Sequence, residues 1–196
     1  MRVATLCGSH HSGSTNAVAL TMLVHRLAAA GVAATPIDVS VDLPAFRPEE
    51  MGDPPELVRR VRESFEQADG VLFAVPEYAG GLPGWVKNMT DWTVASGSLY
   101  RRPVAVVSAA TGGGANAIEQ LARTLTWQGA FVVATCGIAA PLTMVRDGVV
   151  TDPDTLERLH GKADTLLDAM RGRVDLAAVA AGVLTPLGID PLDRLG

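Results

Sequence analysis

The sequence predicts an α/β protein in which helices cover both faces of a parallel sheet. Short apolar runs alternate along the chain with longer segments whose apolar residues recur at the spacing of one helix face. Loops rich in glycine and serine follow several of the runs, as is typical of parallel strands joined by right-handed crossovers. Five such units match the strand order 2-1-3-4-5, in which a ligand binds at the sheet edge between strands 1 and 3.

The first half of the chain contains three predicted strands and the helices that follow them. The strands are expected at residues 2–6, 34–39 and 70–75. Gly31 is expected to end the first helix, and a proline-rich segment separates the second strand from the second helix. Three apolar positions mark the face of the second helix: Leu57, Val61 and Phe65. The face of the first helix is Leu20, Leu23, Val24 and Leu27.

The second half continues the alternation and ends in a tail of different character. Strands are expected at residues 104–108 and 130–135, each followed by a helical pattern, and Asp154 or Thr155 is expected to cap the last helix. The tail is apolar but contains glycine and proline, so we expect no sixth regular unit there. It is expected to cover a surface of its own subunit or of a neighbour.

Composition limits the classes of function. A chain of 196 residues with 48% hydrophobic residues fits one core, and we expect one domain over residues 1–172 and a C-terminal tail over residues 173–196. A net charge of −5 argues against a nucleic-acid partner, which needs clustered Lys and Arg. No apolar run has the length of a membrane span and no signal segment is evident, so a cytoplasmic protein without a membrane partner is expected.

The first loop, GSHHSGSTN at residues 8–16, has the composition of a phosphate cradle. Unpaired N–H groups at a helix start favour an anion, and hydroxyls of Ser9, Ser12, Ser14 and Thr15 add donors. Position 14 is Ser where a triphosphate-binding loop has Lys, which favours a monophosphate. The alternative is that Ser14 or Thr15 only caps the helix. Adjacent His10 and His11 are a poor metal signal, and we expect no metal site.

Two further loops are predicted at the same sheet edge. Residues 75–92, VPEYAGGLPGWVKNMTDW, predict a strand end, a glycine-rich turn and a helix opened by Pro83. Residues 108–115 offer donors at Ser108 and Thr111 and three glycines that let the backbone approach a flat ligand. An ordinary strand-to-helix turn is the alternative for this third loop.

These loops resemble those of a known enzyme family. The first is similar to the GSxRxxSxN phosphate loop of the NADPH-dependent FMN reductases, and residues 76–92 resemble that family's PEYNGSxPGxLKNxxDW signature. The resemblance covers about residues 1–170. It implies a flavodoxin-like fold with a five-stranded parallel sheet and noncovalently bound FMN. It also implies reduction of flavin, quinones, azo compounds or oxyanions by NADPH or NADH.

The resemblance also implies roles for individual residues. Ser9, Ser14 and Asn16 are expected to hold the FMN phosphate, and residues 76–78 to line the isoalloxazine ring. No catalytic residue is assigned, because hydride transfer through a flavin needs positioning rather than an acid/base pair. The full set of expected cofactor-binding residues is Ser9, His11, Ser14, Thr15, Asn16, Pro76, Glu77, Tyr78, Ala79, Gly80, Ser108, Thr111, Gly112 and Gly113.

Three positions depart from the family pattern. His11 stands in place of Arg, which removes a permanent charge from the phosphate loop unless the imidazole is protonated. Ala79 and Gly81 stand in place of Asn and Ser, which is expected to remove side-chain donors near the flavin.

Oligomeric state and two other functions stay open at this point. An aromatic stripe on the third helix, Trp85, Met89 and Trp92, indicates either core packing or the dimer interface that the resemblance implies. We expect a homodimer or homotetramer that acts on a small-molecule electron acceptor. The alternatives are an electron-carrier flavoprotein and a flavin-free binding domain with a decayed site.

Overall fold

A five-stranded parallel sheet organises the chain in the order β2-β1-β3-β4-β5, which confirms the predicted topology. The computed structural model describes residues 1–11, 13–37, 43–139, 145–146 and 148–190. The strands of the main sheet are β1 (Arg2–Cys7), β2 (Ala33–Pro36), β3 (Gly70–Ala74), β4 (Pro103–Ala109) and β5 (Phe131–Ile138). A short antiparallel pair, β6 (Val145–Arg146) and β7 (Val149–Val150), lies outside this sheet. Part of the second predicted strand, residues 38 and 39, lies outside the described residues.

Helices cover both faces of the sheet. They are α1 (Thr15–Ala29), α2 (Glu56–Glu66), α3 (Gly84–Thr93), α4 (Ala115–Trp127), α5 (Pro153–Met170) and α6 (Leu176–Leu184). α1 and α5 pack against each other and against β4, while α2, α3 and α4 contact one another in sequence order. None of the described helices is both long and apolar enough to cross a membrane.

The central strands are buried along their whole length. Every residue of β3 and β4 is buried, because helices cover a parallel sheet from both sides. In α2 the buried face consists of Val58, Val61 and Phe65, whereas Leu57 is only partly buried. The predicted helix was therefore correct, but its buried face includes Val58 in place of the predicted Leu57.

The last long helix begins earlier than the sequence predicted. Asp152 is the N-cap of α5 and accepts a hydrogen bond from Thr155 N at 2.8 Å, so the expected cap at Asp154 or Thr155 was wrong. Pro153 explains the shift, because a proline fits the first turn of a helix, where its missing N–H has no partner to lose.

The tail also forms regular structure, contrary to expectation. Asp175 caps α6 by accepting from Ala177 N and Ala178 N, and Ala180 and Leu184 are buried where α6 packs on β5. Gly182 lies inside this helix, where glycine costs about 1 kcal/mol relative to alanine. Packing on β5 offsets that cost.

α3 is held in place by the proline-rich segment that precedes α2. Asn88 accepts from Phe46 N at 2.7 Å and donates to Pro44 O at 2.9 Å, and Trp92 Nε1 donates to the same carbonyl at 2.8 Å. Met89 and Trp92 are fully buried. The aromatic stripe therefore packs in the core over these two positions, while Trp85 is only partly buried.

Candidate functional site

A cavity of about 360 Å³ lies at the carboxyl edge of the sheet, where the loops after β1, β3 and β4 meet. The three loops that the sequence placed at one edge are thus adjacent. The residues that line the cavity are Ser9, His11, Gly13, Ser14, Thr15, Asn16, Pro76, Glu77, Tyr78, Ala109, Ala110 and Thr111. The predicted site residues that do not line it are Ala79, Gly80, Ser108, Gly112 and Gly113. Ser12 lies outside the described residues.

The first loop uses its own side chains to bind its backbone N–H groups. Ser9 Oγ accepts from His11 N at 3.3 Å, and His11 Nδ1 accepts from Gly13 N at 3.1 Å. Ser14 is the N-cap of α1 and accepts from Asn16 N at 3.2 Å. A capping hydroxyl accepts through its oxygen and keeps its proton, so Ser9 and Ser14 can still donate to a ligand. Capping and ligand binding are therefore compatible for Ser14.

Asn16 joins the first loop to the third. Its buried side chain donates from Nδ2 to Ala109 O at 2.9 Å and accepts at Oδ1 from Ala109 N at 2.8 Å. This amide therefore holds the start of α1 against the end of β4. Asn16, which was expected to hold the phosphate, therefore makes structural hydrogen bonds to β4.

Glu77 joins the second loop to the third. Its Oε2 accepts from Asn116 N at 2.9 Å and from Ala117 N at 3.2 Å, at the start of α4. The N-cap residue of α4 is Gly114, which has no side chain to supply a cap. Glu77 therefore caps α4 from another loop, and its negative charge lies at the positive end of the helix dipole.

Two more contacts fix the second loop and α3. Trp85 Nε1 donates to Gly8 O at 3.1 Å, and the His10 ring packs on Trp85 with centroids 4.7 Å apart. Gln120 Oε1 accepts from Leu82 N at 3.0 Å, and a Cβ at Gly81 would lie 3.2 Å from that oxygen. Gln120 thus fills space beside the position where the family pattern has Ser. No pattern in the sequence indicated Gln120, because it is one polar residue on an exposed helix face.

The second loop turns through a two-residue hairpin. Tyr78 and Gly81 exchange backbone hydrogen bonds of 3.0 Å, and the residues between them, Ala79 and Gly80, have φ of 50° and 72°. These are the positive angles of a type I′ turn, which favours Asn-Gly. An Asn at position 79 would therefore suit the backbone, and the departure to Ala79 introduces strain in the turn in addition to the loss of a polar side chain.

Glycines in the third loop allow close packing on the sheet. Gly113 and Gly114 have φ of 86° and 72°, and a Cβ on Gly114 would fall 1.9 Å from Ser108 Oγ. A Cβ on Gly137 of β5 would fall 2.4 Å from Gly113 O. Ser108 Oγ is buried and has no hydrogen-bond partner among the described residues. The loop is therefore pressed against β4 and β5, and Thr111 is its polar side chain on the cavity wall.

Most of the residues that line the cavity have uncharged side chains. Its described wall contains neither Lys nor Arg, and the carboxylate that it contains, Glu77, is bonded to α4. Hydroxyls of Ser14 and Thr15 lie at the start of α1, where the helix dipole favours an anion, and Ser9 in the preceding loop lines the same cavity. Pro76, Ala109 and Ala110 supply uncharged wall on the other side. This donor set fits a phosphate at α1 with a planar, largely uncharged ring beside it.

Comparison with known proteins gives a consistent result. The family profile described as NADPH-dependent FMN reductase matches residues 1–143. A quinone reductase of Escherichia coli K12 is 28% identical over 172 residues, which cover 83% of this chain and 91% of that protein. An NAD(P)H:quinone oxidoreductase of Solanum tuberosum is 31% identical over 174 residues, which cover 82% and 88%. The solved structure of FerB, a flavoenzyme NAD(P)H:(acceptor) oxidoreductase from Paracoccus denitrificans, has a TM-score of 0.70 and 29% identity, covering 87% and 97%.

Replacing Ala79 by Asn should stabilise the protein. Asn adopts the left-handed conformation more readily than Ala, so we expect the free energy of unfolding in urea to rise by about 1 kcal/mol. Gly80→Ala is the matched control. Its new Cβ would meet nothing within 4 Å, so this substitution tests the backbone conformation alone. It should lower the free energy of unfolding by a similar amount. A decrease for Ala79→Asn would contradict the assignment of strain to this turn.

Replacing Glu77 by Ala should destabilise the protein by removing the cap of α4. We expect the free energy of unfolding to fall by about 1–2 kcal/mol, and Glu77→Gln, which keeps an acceptor oxygen, to lose less. Glu119→Ala is the control, because Glu119 lies on the same helix and makes an exposed ion pair with Arg123. That pair should contribute less than about 0.5 kcal/mol. Equal losses for Glu77→Ala and Glu119→Ala would rule out the capping role.

Proposed function

This chain belongs to the NADPH-dependent FMN reductase family, and we propose on that basis that it passes electrons from NADPH or NADH through bound FMN to a small acceptor. Two of its relatives carry the names quinone reductase and NAD(P)H:quinone oxidoreductase, which supports a quinone as acceptor. Free flavin is the second acceptor class that the family description supports.

The cavity at the meeting point of three loops is the observation that carries this proposal. Its hydroxyls at the start of α1 suit the FMN phosphate, and its uncharged wall beside Pro76 suits the isoalloxazine ring. Ser9, Ser14 and Thr15 are the proposed phosphate donors, with Asn16 holding the loop that carries them. Tyr78, Thr111 and the backbone of the second and third loops would border the ring.

The protein's contribution to the reaction is binding and orientation. When bound, FMN supplies a ring that accepts hydride from a nicotinamide and returns electrons to an acceptor. Tyr78 is 59% exposed at the cavity mouth, where it can contact a second planar molecule. Glu77 joins the second loop to the start of α4, and Asn16 joins the start of α1 to the end of β4. These hydrogen bonds hold the cavity in one arrangement before a ligand binds.

Flavin titration followed by anaerobic reduction tests the function. We expect purified protein to quench FMN fluorescence, and NADPH or NADH to bleach the oxidised flavin within one rapid phase that an added quinone reverses. Protein that takes up no FMN would contradict the proposal and favour the flavin-free binding domain. Protein that takes up FMN but is reduced by neither nicotinamide would favour the electron carrier.

We further propose a homodimer whose contact includes an exposed apolar surface at the end of α3 and α4. This apolar surface consists of Val94, Tyr100 and Trp127, which are 57%, 55% and 61% exposed. The three residues line a groove of about 640 Å³. Contiguous exposed apolar residues of this kind are typical of protein interfaces. The ion pairs Lys87–Asp91 and Glu119–Arg123 lie on the same two helices, and three of their four residues, all but Glu119, are at the groove.

Val94→Glu should shift the protein toward a monomer. The introduced carboxylate would have to lose its water in the contact, whereas Val149→Glu, at an exposed valine on β7, should leave the mass unchanged. Light scattering coupled to size exclusion should give about twice the chain mass of 20.4 kDa for the parent and the Val149 variant. A monomeric parent, or the same mass for both variants, would contradict the dimer contact.

A further inference from the structure

We propose that Gln120 of α4 is a positioning residue for the electron acceptor, because its amide occupies the space of the side chain that Gly81 lacks and holds the second loop after its turn. This role rests on the proposed function, since it concerns the small acceptor that binds beside the flavin. Tyr78, the first residue of the turn, lies at the mouth of the cavity and is the side chain that Gln120 would position.

The backbone at Gly81 does not require glycine. Only the two central residues of a type I′ turn need a positive φ, and here these are Ala79 and Gly80. Gly81 follows them with a φ outside the left-handed region. A Cβ at position 81 would lie 3.2 Å from Gln120 Oε1 and 3.4 Å from Gln120 Nε2, which is closer than ordinary van der Waals contact for the oxygen. The glycine therefore makes room for the amide of Gln120.

The backbone of the second loop orients this amide. Leu82 N–H donates to Gln120 Oε1 at 3.0 Å. The oxygen is the acceptor of a side-chain amide, so Oε1 must face Leu82 while the N–H groups of Nε2 are directed elsewhere. Gly81 and Gln120 therefore form a matched pair, in which the missing side chain of one residue allows the hydrogen bond of the other.

α4 holds the second loop on both sides of its turn. Before the turn, Glu77 accepts hydrogen bonds from the first N–H groups of α4. After the turn, Leu82 N–H donates to Gln120 on the same helix. Tyr78 lies between these two attachments, and its backbone bonds with Gly81 close the turn. The turn can therefore shift along α4 only if one of the two attachments breaks.

The ring of Tyr78 depends on these attachments because it has little other support. Tyr78 is largely exposed, and no aromatic side chain among the described residues stacks on it. The position of the ring thus follows the backbone of the turn. A planar acceptor beside the flavin would meet this ring, whereas the proposed phosphate donors lie on the first loop. Loss of Gln120 should therefore weaken binding of the acceptor more than binding of FMN.

Gln120→Leu removes the acceptor oxygen from a side chain of similar size. On FMN-loaded protein, we expect it to raise the KM for the quinone menadione about fivefold and to leave kcat unchanged, because one neutral hydrogen bond is lost from acceptor binding alone. Gln120→Glu keeps an acceptor oxygen for Leu82 N–H and should restore the KM to within about twofold of the parent. Menadione is uncharged, so the added carboxylate should have little other effect on its binding.

Two controls separate this role from a general loss of structure. FMN affinity, measured by fluorescence quenching, should stay within about twofold of the parent in Gln120→Leu. Glu119→Ala changes the preceding position of α4, where an exposed ion pair with Arg123 contributes little, and it should leave the KM for menadione unchanged.

Gly81→Ser tests the matched pair from the other side. In the parent, the new Cβ would displace the amide of Gln120, so the KM for menadione should rise about as much as in Gln120→Leu. In Gln120→Ala, where this space is empty, the same serine should raise the KM no further. Equal increases caused by Gly81→Ser in the two backgrounds would contradict the pairing.

The exchange rate of the Leu82 amide hydrogen reports on the hydrogen bond itself. We expect faster exchange in Gln120→Leu and the parent rate in Gln120→Glu. An unchanged KM in Gln120→Leu, or an increase that Gln120→Glu does not reverse, would overturn the positioning role. A parent protein that takes up no FMN would instead overturn the proposed function, and the Leu82 exchange rates would still show whether Gln120 holds the loop.

Discussion

The cavity depends on hydrogen bonds that cross from one loop of the sheet edge to another. Asn16 binds Ala109, Glu77 binds the start of α4, and Trp85 binds Gly8 O, so each pair of loops is joined by at least one side chain. Loops fixed in this way lose little further freedom when a ligand binds, which lowers the entropic cost of binding. Several side chains of residues 76–92 thus hold the loops of the site in place whether or not a ligand is bound. Asn88 and Trp92 fix α3 in the same manner, because both donate hydrogen bonds to Pro44 O.

The fold could be predicted from the sequence because its main determinant is periodicity. Continuous apolar runs predict buried parallel strands, and the buried β3 and β4 have that pattern. The errors lie where local chemistry competes with periodicity. α5 starts at Pro153 with Asp152 as its cap, and packing on β5 stabilises α6 despite Gly182. Neither effect is visible in a pattern of apolar residues, since one depends on backbone geometry at a helix end and the other on a tertiary contact.

The position of the candidate site was also predictable, because the carboxyl ends of neighbouring parallel strands must meet at one edge. The partners of its side chains were not. Nothing in the sequence indicates that Glu77 caps a helix some forty residues later, that Gln120 fills the space beside Gly81, or that Ser108 lies beneath Gly114. The strain at Ala79 was not predictable either, because it follows from the positive φ of a turn type that only the structure defines.

We propose that the cofactor phosphate lies at the first loop, where the described cavity wall offers hydroxyls but neither Lys nor Arg, on a chain of net charge −5. Hydrogen exchange of the backbone with and without flavin tests this most directly, because it locates the phosphate and the ring separately. Riboflavin and FMN should both protect residues 76–82 and 108–115, and FMN alone should protect residues 8–16. Equal protection of residues 8–16 by the two flavins, or protection confined to other parts of the chain, would contradict the assignment of the phosphate to the first loop.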